Sequence, residues 1–234
     1  MTVQLIDSMG SDLSVVNAAR VSFAKESDWE RTTNTDQFSG VVYDEYLNEK
    51  DQKLITYLAL HNHWSPFAHS FLSFRIKAPI FVARQLVKHQ VGLAWNEVSR
   101  RYVDDEPEFW FPDVWRGKPV NAKQGSSDEV INKDEVNQAL EWYGYGGDFY
   151  NLCNCSLMSY QQLIDIGVAP EQARMILPQN TMTEWIWSGS LMAFARVCKL
   201  RLDPHAQKET QEVAQQINDC VPDNFLYSWK ALLA

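Results

Sequence analysis

The sequence predicts an α+β fold with helices in the majority, and three observations carry that expectation. His69 to Lys77 alternates with period two, placing Phe71, Ser73 and Arg75 on one side and Leu72, Phe74 and Ile76 on the other, as a half-buried strand does. Leu13 to Phe23 instead repeats apolar residues at helical spacing, at Leu13, Val16, Ala19 and Phe23, the mark of an amphipathic helix. At 234 residues the chain can build one sizeable core but has little room for two independent domains, so both element types must share it.

Taken in order, Val3 to Ile6 reads as a short strand, and Ser11 or Asp12 is the candidate N-cap of the Leu13–Phe23 helix, since their side chains can accept the first free backbone N–H groups. Ser27 to Ser39 is polar and reads as a loop. Asp44 to Asn62 reads as a helix with Leu47, Leu54, Ile55, Leu58 and Leu60 among its apolar positions. After the His69–Lys77 strand, Pro79 opens a helix that is expected to run to about Val91 and end near Gly92. Trp95 to Val103 reads as extended, and Pro107 to Gly125 as a loop with Phe109 to Pro112 packed down. Ser127 to Gly167 is a long helical stretch, with Gly144, Gly146 and Gly147 as points of interruption. Pro170 to Leu177 reads as a short helix, Thr181 to Trp187 as a strand, and Leu191–Leu200, Gln207–Cys220 and Asn224–Leu233 as helices.

Composition excludes several classes. With 45% hydrophobic and 22% charged residues the chain is not disordered. Nine Trp call for large apolar surfaces buried in a core or between subunits. A formal net charge of −9 argues against a nucleic-acid polymer as partner, but not against a small phosphorylated ligand, for which a few arginines in a pocket suffice. Met1 to Gly10 lacks the basic start and apolar run of a signal peptide, and no stretch reaches the ~20 apolar residues of a membrane span. Cys153, Cys155, Cys198 and Cys220 therefore read as reduced structural thiols of a cytoplasmic protein.

The richest segment runs from Ala83 to Tyr102. On a helix continued to Val91, Arg84 and Lys88 stack on neighbouring turns, as do Gln85 and His89, so one face offers two cations, an amide and an imidazole. That face is either a ligand site or a solvated surface with a dipole-favoured Lys and His. If Asn96 to Tyr102 is extended, Glu97, Ser99 and Arg101 point one way and Val98, Arg100 and Tyr102 the other. An acceptor, a hydroxyl and a guanidinium in a row suit a nucleotide, with Arg on phosphate and Glu on a sugar hydroxyl or ring N–H.

These residues resemble the signature of the flavin-dependent thymidylate synthases: a Gln three residues before an Arg-His-Arg triplet, a spacer, then Asn-Glu-x-Ser-x-Arg-Tyr. The chain reads Gln85, Lys88-His89-Gln90 and Asn96-Glu97-Val98-Ser99-Arg100-Arg101-Tyr102. His63-Trp-Ser65-Pro66-Phe67-Ala-His69 is similar to the family's His-x-[Ser/Thr]-Pro-Phe-x-His segment, and Asn17-Ala-Ala-Arg20-Val-Ser22 to its N-terminal helix. Ala173-Arg174-Met-Ile-Leu177-Pro178 and Leu200-Arg201-Leu-Asp203-Pro-His205-Ala206-Gln207 resemble its two other Arg-bearing segments. The chain departs from the pattern at Lys88 and Gln90, in a spacer one residue longer, in a longer helix up to Arg201, and at Trp187 and Gly189, where the family shows Asn and Arg before Ser190-Leu191.

The resemblance implies one α+β domain over residues 1–234, a mixed sheet flanked by helices plus a helical lobe, assembled as a homotetramer with shared active sites. It implies methylation of dUMP to dTMP with methylenetetrahydrofolate, FAD as hydride carrier and NADPH as reductant. Gln85, Glu97, Ser99, Arg101, Arg174 and Arg201 are then expected to line the dUMP site, with Arg201 catalytic beside the pyrimidine. Ser65, Lys88, His89, Gln90, Glu97 and His63 are expected to contact FAD, with Ser22 a further candidate, through contacts rearranged around the departures. Against these stand plainer roles: a helix-end ion pair for Arg174, a helix C-terminal charge for Arg201, and core packing for His63 or His69. Ser99 is read as a binding group, because no His with a supporting acid marks it as a nucleophile. Three rivals remain: a one-carbon transfer ending in a hydroxymethyl group, a hydrolase with His61, His63, His69, Asp203 and His205 around a metal, and a catalytically silent binding protein. No metal is expected on the main reading.

Overall fold

The computed structural model describes residues 1–36, 40–103, 105–120, 125–141 and 147–234. Its centre is a four-stranded sheet of β1 (Thr2–Met9), β4 (Phe71–Pro79), β8 (Met182–Ser190) and β5 (Leu93–Glu97), in the order β1-β4-β8-β5. Each of its ladders is antiparallel. Between β1 and β4 come α1 (Asp12–Arg20), the hairpin β2 (Glu30–Asp36) and β3 (Gly40–Tyr46), and α2 (Glu49–Leu60). Between β4 and β8 lie α3 (Ile80–Leu86), β5, the short pair β6 (Trp115–Arg116) and β7 (Val130–Ile131), α4 (Lys133–Leu140), α5 (Phe149–Asp165) and α6 (Pro170–Ala173). After β8 come α7 (Leu191–Arg201), α8 (Lys208–Asp219) and α9 (Leu226–Leu233). The α+β class is as the sequence predicts, but the sheet, expected to be mixed, is antiparallel in each of its ladders.

The period-two reading of β4 holds. Leu72, Phe74, Ile76 and Ala78 are buried, and they join Trp185 and Trp187 of β8 in the main core against Phe194, Val197, Val213, Ile217 and Phe225. Removing a side chain as large as either Trp from such a core costs about 3–5 kcal/mol. The opposite face of the sheet is polar: Ser73 meets Ser188 at 2.7 Å, Arg75 donates to Glu184, and Lys77 to Glu108. A second core joins α1 and α2 through Val15, Val16, Leu47, Ile55, Leu58 and Phe67. Ser11 is the N-cap of α1, in a reciprocal capping box with Ser14. All four cysteines are unpaired, and burial pushes the Cys198 thiol up to about 12, so it stays protonated.

Four expectations need correction. Within the expected Ser27–Ser39 loop, Glu30–Asp36 is instead β2, the start of the Asp44–Asn62 helix belongs to its antiparallel partner β3, and α2 begins only after its N-cap Asn48, while residues 37–39 fall outside the described residues. The β-branched residues of Glu30–Asp36 and the Val41-Val42-Tyr43 run suit strands better than the polarity of the segment suggested. The helix after Pro79 ends at Leu86, not Val91. A helix continued at 1.5 Å per residue would carry the chain away from β8, whereas Leu93 has to pair with Gly189. The Trp95–Val103 strand starts at Leu93 and stops at Glu97, because Ser99 O accepts from Tyr102 N and Val103 N to form a turn. The 127–167 stretch holds β7, α4 and α5. Interruption at Gly144 and Gly146 falls outside the described residues, and Gly147, at φ +45°, leads into the α5 N-cap Asp148.

Among the described residues, no helix is long and apolar enough to cross a membrane.

Candidate functional site

The last turn of α3 and the chain just beyond it meet the C-terminal end of α7. Arg201 sits at that end, half-buried, and its Nε donates to His89 Nε2 at 3.0 Å. Because arginine only donates, His89 Nε2 must be the bare nitrogen. Burial first, and then the Arg201 charge, lower the His89 pKa, so the ring is neutral near pH 7. Burial also lowers the Arg201 pKa, yet a guanidinium starting from 12.5 stays charged. The result is a cation held by a neutral partner, with the rest of its fork available.

Gln85 and Arg201 line one cavity of about 500 Å³, together with Arg116, Ser126, His205 and Gln207. Gly125, at φ +81°, presses its backbone against the His205 carbonyl, where an added Cβ would lie 3.2 Å from that oxygen. This glycine lets the backbone at 125 close on His205.

The other expected nucleotide residues do not line that cavity. Glu97 is exposed at the end of β5 and accepts from Trp95 Nε1 at 3.0 Å and Thr183 Oγ1 at 2.8 Å. Arg101 donates from Nε to Ser99 Oγ at 3.1 Å and lies over the Tyr102 ring. Arg174 is exposed and donates to the Glu171 carbonyl at 3.2 Å. Of the expected flavin residues, Lys88 and Gln90 are exposed in the turn after α3. They share no helical face with Arg84 and Gln85, since the helix has already ended.

His63 and Ser65 line a separate cavity of about 700 Å³, with Arg20, Ser22, Phe23, Lys25 and Tyr57 among its walls. Tyr57 stacks on His63 at 6.0 Å between centroids and tilts against His61 at 4.3 Å. Arg20 is fastened to the buried Asp51 of α2. Flat aromatic surfaces beside two cations suit an aromatic ring system carrying phosphates.

Trp187 and Gly189 can supply no flavin contact through side chains. Trp187 is fully buried in the main core, and a Cβ on Gly189 would lie 2.3 Å from the Gly92 carbonyl oxygen. The hydrolase reading fares poorly: no group of three or more potential metal-ligating side chains gathers among the described residues, and Asp203 and His205 pair with each other at 3.0 Å.

Sequence reasoning missed Arg116, Gln207, Glu209 and Thr210 as a polar cluster at the first cavity. One signal was present. Glu209 stands on the stripe of α8 that also carries Thr210, Val213, Ala214 and Ile217, all buried, and a carboxylate on a buried helix stripe needs a partner.

A family model described as thymidylate synthase complementing protein matches residues 4–225. The chain is 34% identical over 234 residues to the flavin-dependent thymidylate synthase of Thermosipho melanesiensis, covering 99% of this chain and 90% of that protein. It is 34% identical over 231 residues to that of Thermus thermophilus, covering 98% and 74%. Among solved structures it is similar to the UMP/dUMP methylase PolB from Streptomyces cacaoi bound with 5-Br dUMP, at 30% identity and a TM-score of 0.75, covering 98% of this chain and 93% of that one.

Proposed function

Because the chain belongs to the thymidylate synthase complementing protein family, we propose that it is a flavin-dependent methyltransferase converting dUMP to dTMP. Methylenetetrahydrofolate is the one-carbon donor, FAD the flavin and NADPH the reductant. The carrying observation is the convergence of Gln85 and a His89-supported Arg201 on one cavity. A guanidinium beside the uracil stabilises negative charge at N3 and the carbonyl oxygens, which makes C5 a better nucleophile. The protein's share of catalysis is this charge and the alignment of the reacting rings.

FAD, when bound, supplies the hydride chemistry. The residues that would hold it are His63 and Ser65 with Arg20, Lys25 and Tyr57 from the second cavity, and Lys88, His89, Gln90 and Glu97. Glu97, Ser99, Arg101 and Arg174 lie off the Gln85–Arg201 cavity of their own chain. We infer that they reach it from a neighbouring subunit, in a homotetramer whose active sites are shared. The proposed setting is the cytoplasm, and no nucleic-acid polymer is involved.

The test is product analysis with dUMP, methylenetetrahydrofolate, NADPH and added FAD. Formation of dTMP supports the assignment. Uptake of dUMP with a hydroxymethylated product would select the rival chemistry kept open by the departures at Lys88, Gln90 and Gly189, and uptake with no product the catalytically silent reading. PolB is also described with 5-Br UMP, so UMP is assayed beside dUMP.

A further inference from the structure

Behind the Gln85–Arg201 cavity runs a hydrogen-bonded chain that the proposed reaction does not use. Thr210 Oγ1 donates to Gln85 Oε1 at 3.0 Å. Gln85 Nε2 donates to Gln207 Oε1, and Gln207 Nε2 donates to Glu209 Oε2 at 3.0 Å. Glu209 Oε1 accepts from Arg116 Nη2 at 2.5 Å, and Arg116 Nε donates to Ser126 Oγ at 2.8 Å.

The direction of this chain is forced. A carboxylate only accepts, so Gln207 must turn its NH₂ to Glu209 and its oxygen to Gln85. Gln85 must then offer its NH₂ to Gln207 and its oxygen to the Thr210 hydroxyl. Each amide is thereby locked in one of its two flips, which an isolated glutamine would not be. Glu209 is 6% exposed and Thr210 fully buried, so neither can exchange its partner for bulk water. Burial raises the Glu209 pKa, but the bonds from Arg116, the backbone and Gln207 more than offset it and hold the group below the ordinary carboxylate value. The anion that sets the direction therefore persists at neutral pH.

We propose that Glu209 is a positioning residue for nucleotide recognition: through Gln207 it fixes which edge of the Gln85 amide faces the cavity. This rests on the Gln85–Arg201 cavity being the nucleotide site. The acidic first turn of α8 also stabilises the helix, so the test must separate positioning from folding.

Glu209→Gln keeps size and shape but adds a donor, so Gln207 is free to flip. The experiment is equilibrium dialysis of dUMP, up to millimolar, against the FAD-loaded full chain, its Glu209→Gln and Gln85→Ala variants, and the double variant. Glu209→Gln is expected to raise the dUMP Kd about tenfold, the scale of one misdirected buried hydrogen bond, with a thermal midpoint close to the parent's. In the Gln85→Ala background the same change is expected to have little effect, because its route to the ligand is gone. Equal weakening in both backgrounds, or none in either, overturns the positioning role. A parent protein that takes up no dUMP overturns the nucleotide reading, and the inference with it.

Discussion

Arg201 and His89 form a unit whose charge state follows from geometry. The His89 pKa is lowered in the folded protein, so between that value and about 6.5 the unfolded chain binds more protons. The stability this contributes is fully present above pH 6.5 and is lost as pH falls through the folded value. Denaturation by urea at pH 7.5 and pH 5.5 is expected to show a loss for the parent that is smaller in His89→Gln. The comparison cancels Asp12, whose pKa burial raises. For activity, Arg201→Lys keeps a charge but loses the planar fork and the Nε donor. It is expected to lower kcat/KM for dTMP formation about a hundredfold, read from initial rates at varied dUMP. A change under threefold would mean that Arg201 does not touch the reacting base.

At the scale of elements, the turn between α3 and β5 decides where His89 stands against Arg201. It is packed tightly enough that β8 must carry glycine beneath it: the Gly189 Cβ would meet the Gly92 carbonyl at 2.3 Å and Leu93 Cδ2 at 2.6 Å. Gly189→Ala is expected to destabilise the fold by about 1–3 kcal/mol, as overpacking does, read as a lower urea midpoint at unchanged slope. Strands such as β4 were legible because burial on one face writes a period of two into the sequence. The overextension of α3 arose because Lys88, His89 and Gln90 are compatible with a helix. What ends it is the pairing of Leu93 with Gly189, a contact nearly a hundred residues away in the chain, which local pattern does not encode. The β2–β3 hairpin was missed for a related reason: its polar residues carry no alternation of apolar and polar positions to read.

For the whole molecule, the family signature made Gln85, His89 and Arg201 legible, and the fold brings those three together. Glu97, Ser99, Arg101 and Arg174 were equally visible as sequence, but one chain does not place them on that cavity. The proposed subunit sharing, which sequence spacing cannot display, would account for the difference. It predicts complementation. Arg201→Ala and Arg101→Ala chains, each inactive as pure oligomers, are expected to regain dTMP formation when co-expressed and purified as mixed oligomers. No recovery in a verified mixture would place both arginines in one subunit's site.

The most direct measurement is a crystal structure of the assembled protein with FAD and dUMP. The account predicts the uracil ring between Gln85 and Arg201 of one subunit, with Ser99 and Arg101 of another closing over the nucleotide and the flavin alongside. Nucleotide bound elsewhere, or Arg101 of every subunit remote from it, would contradict the account.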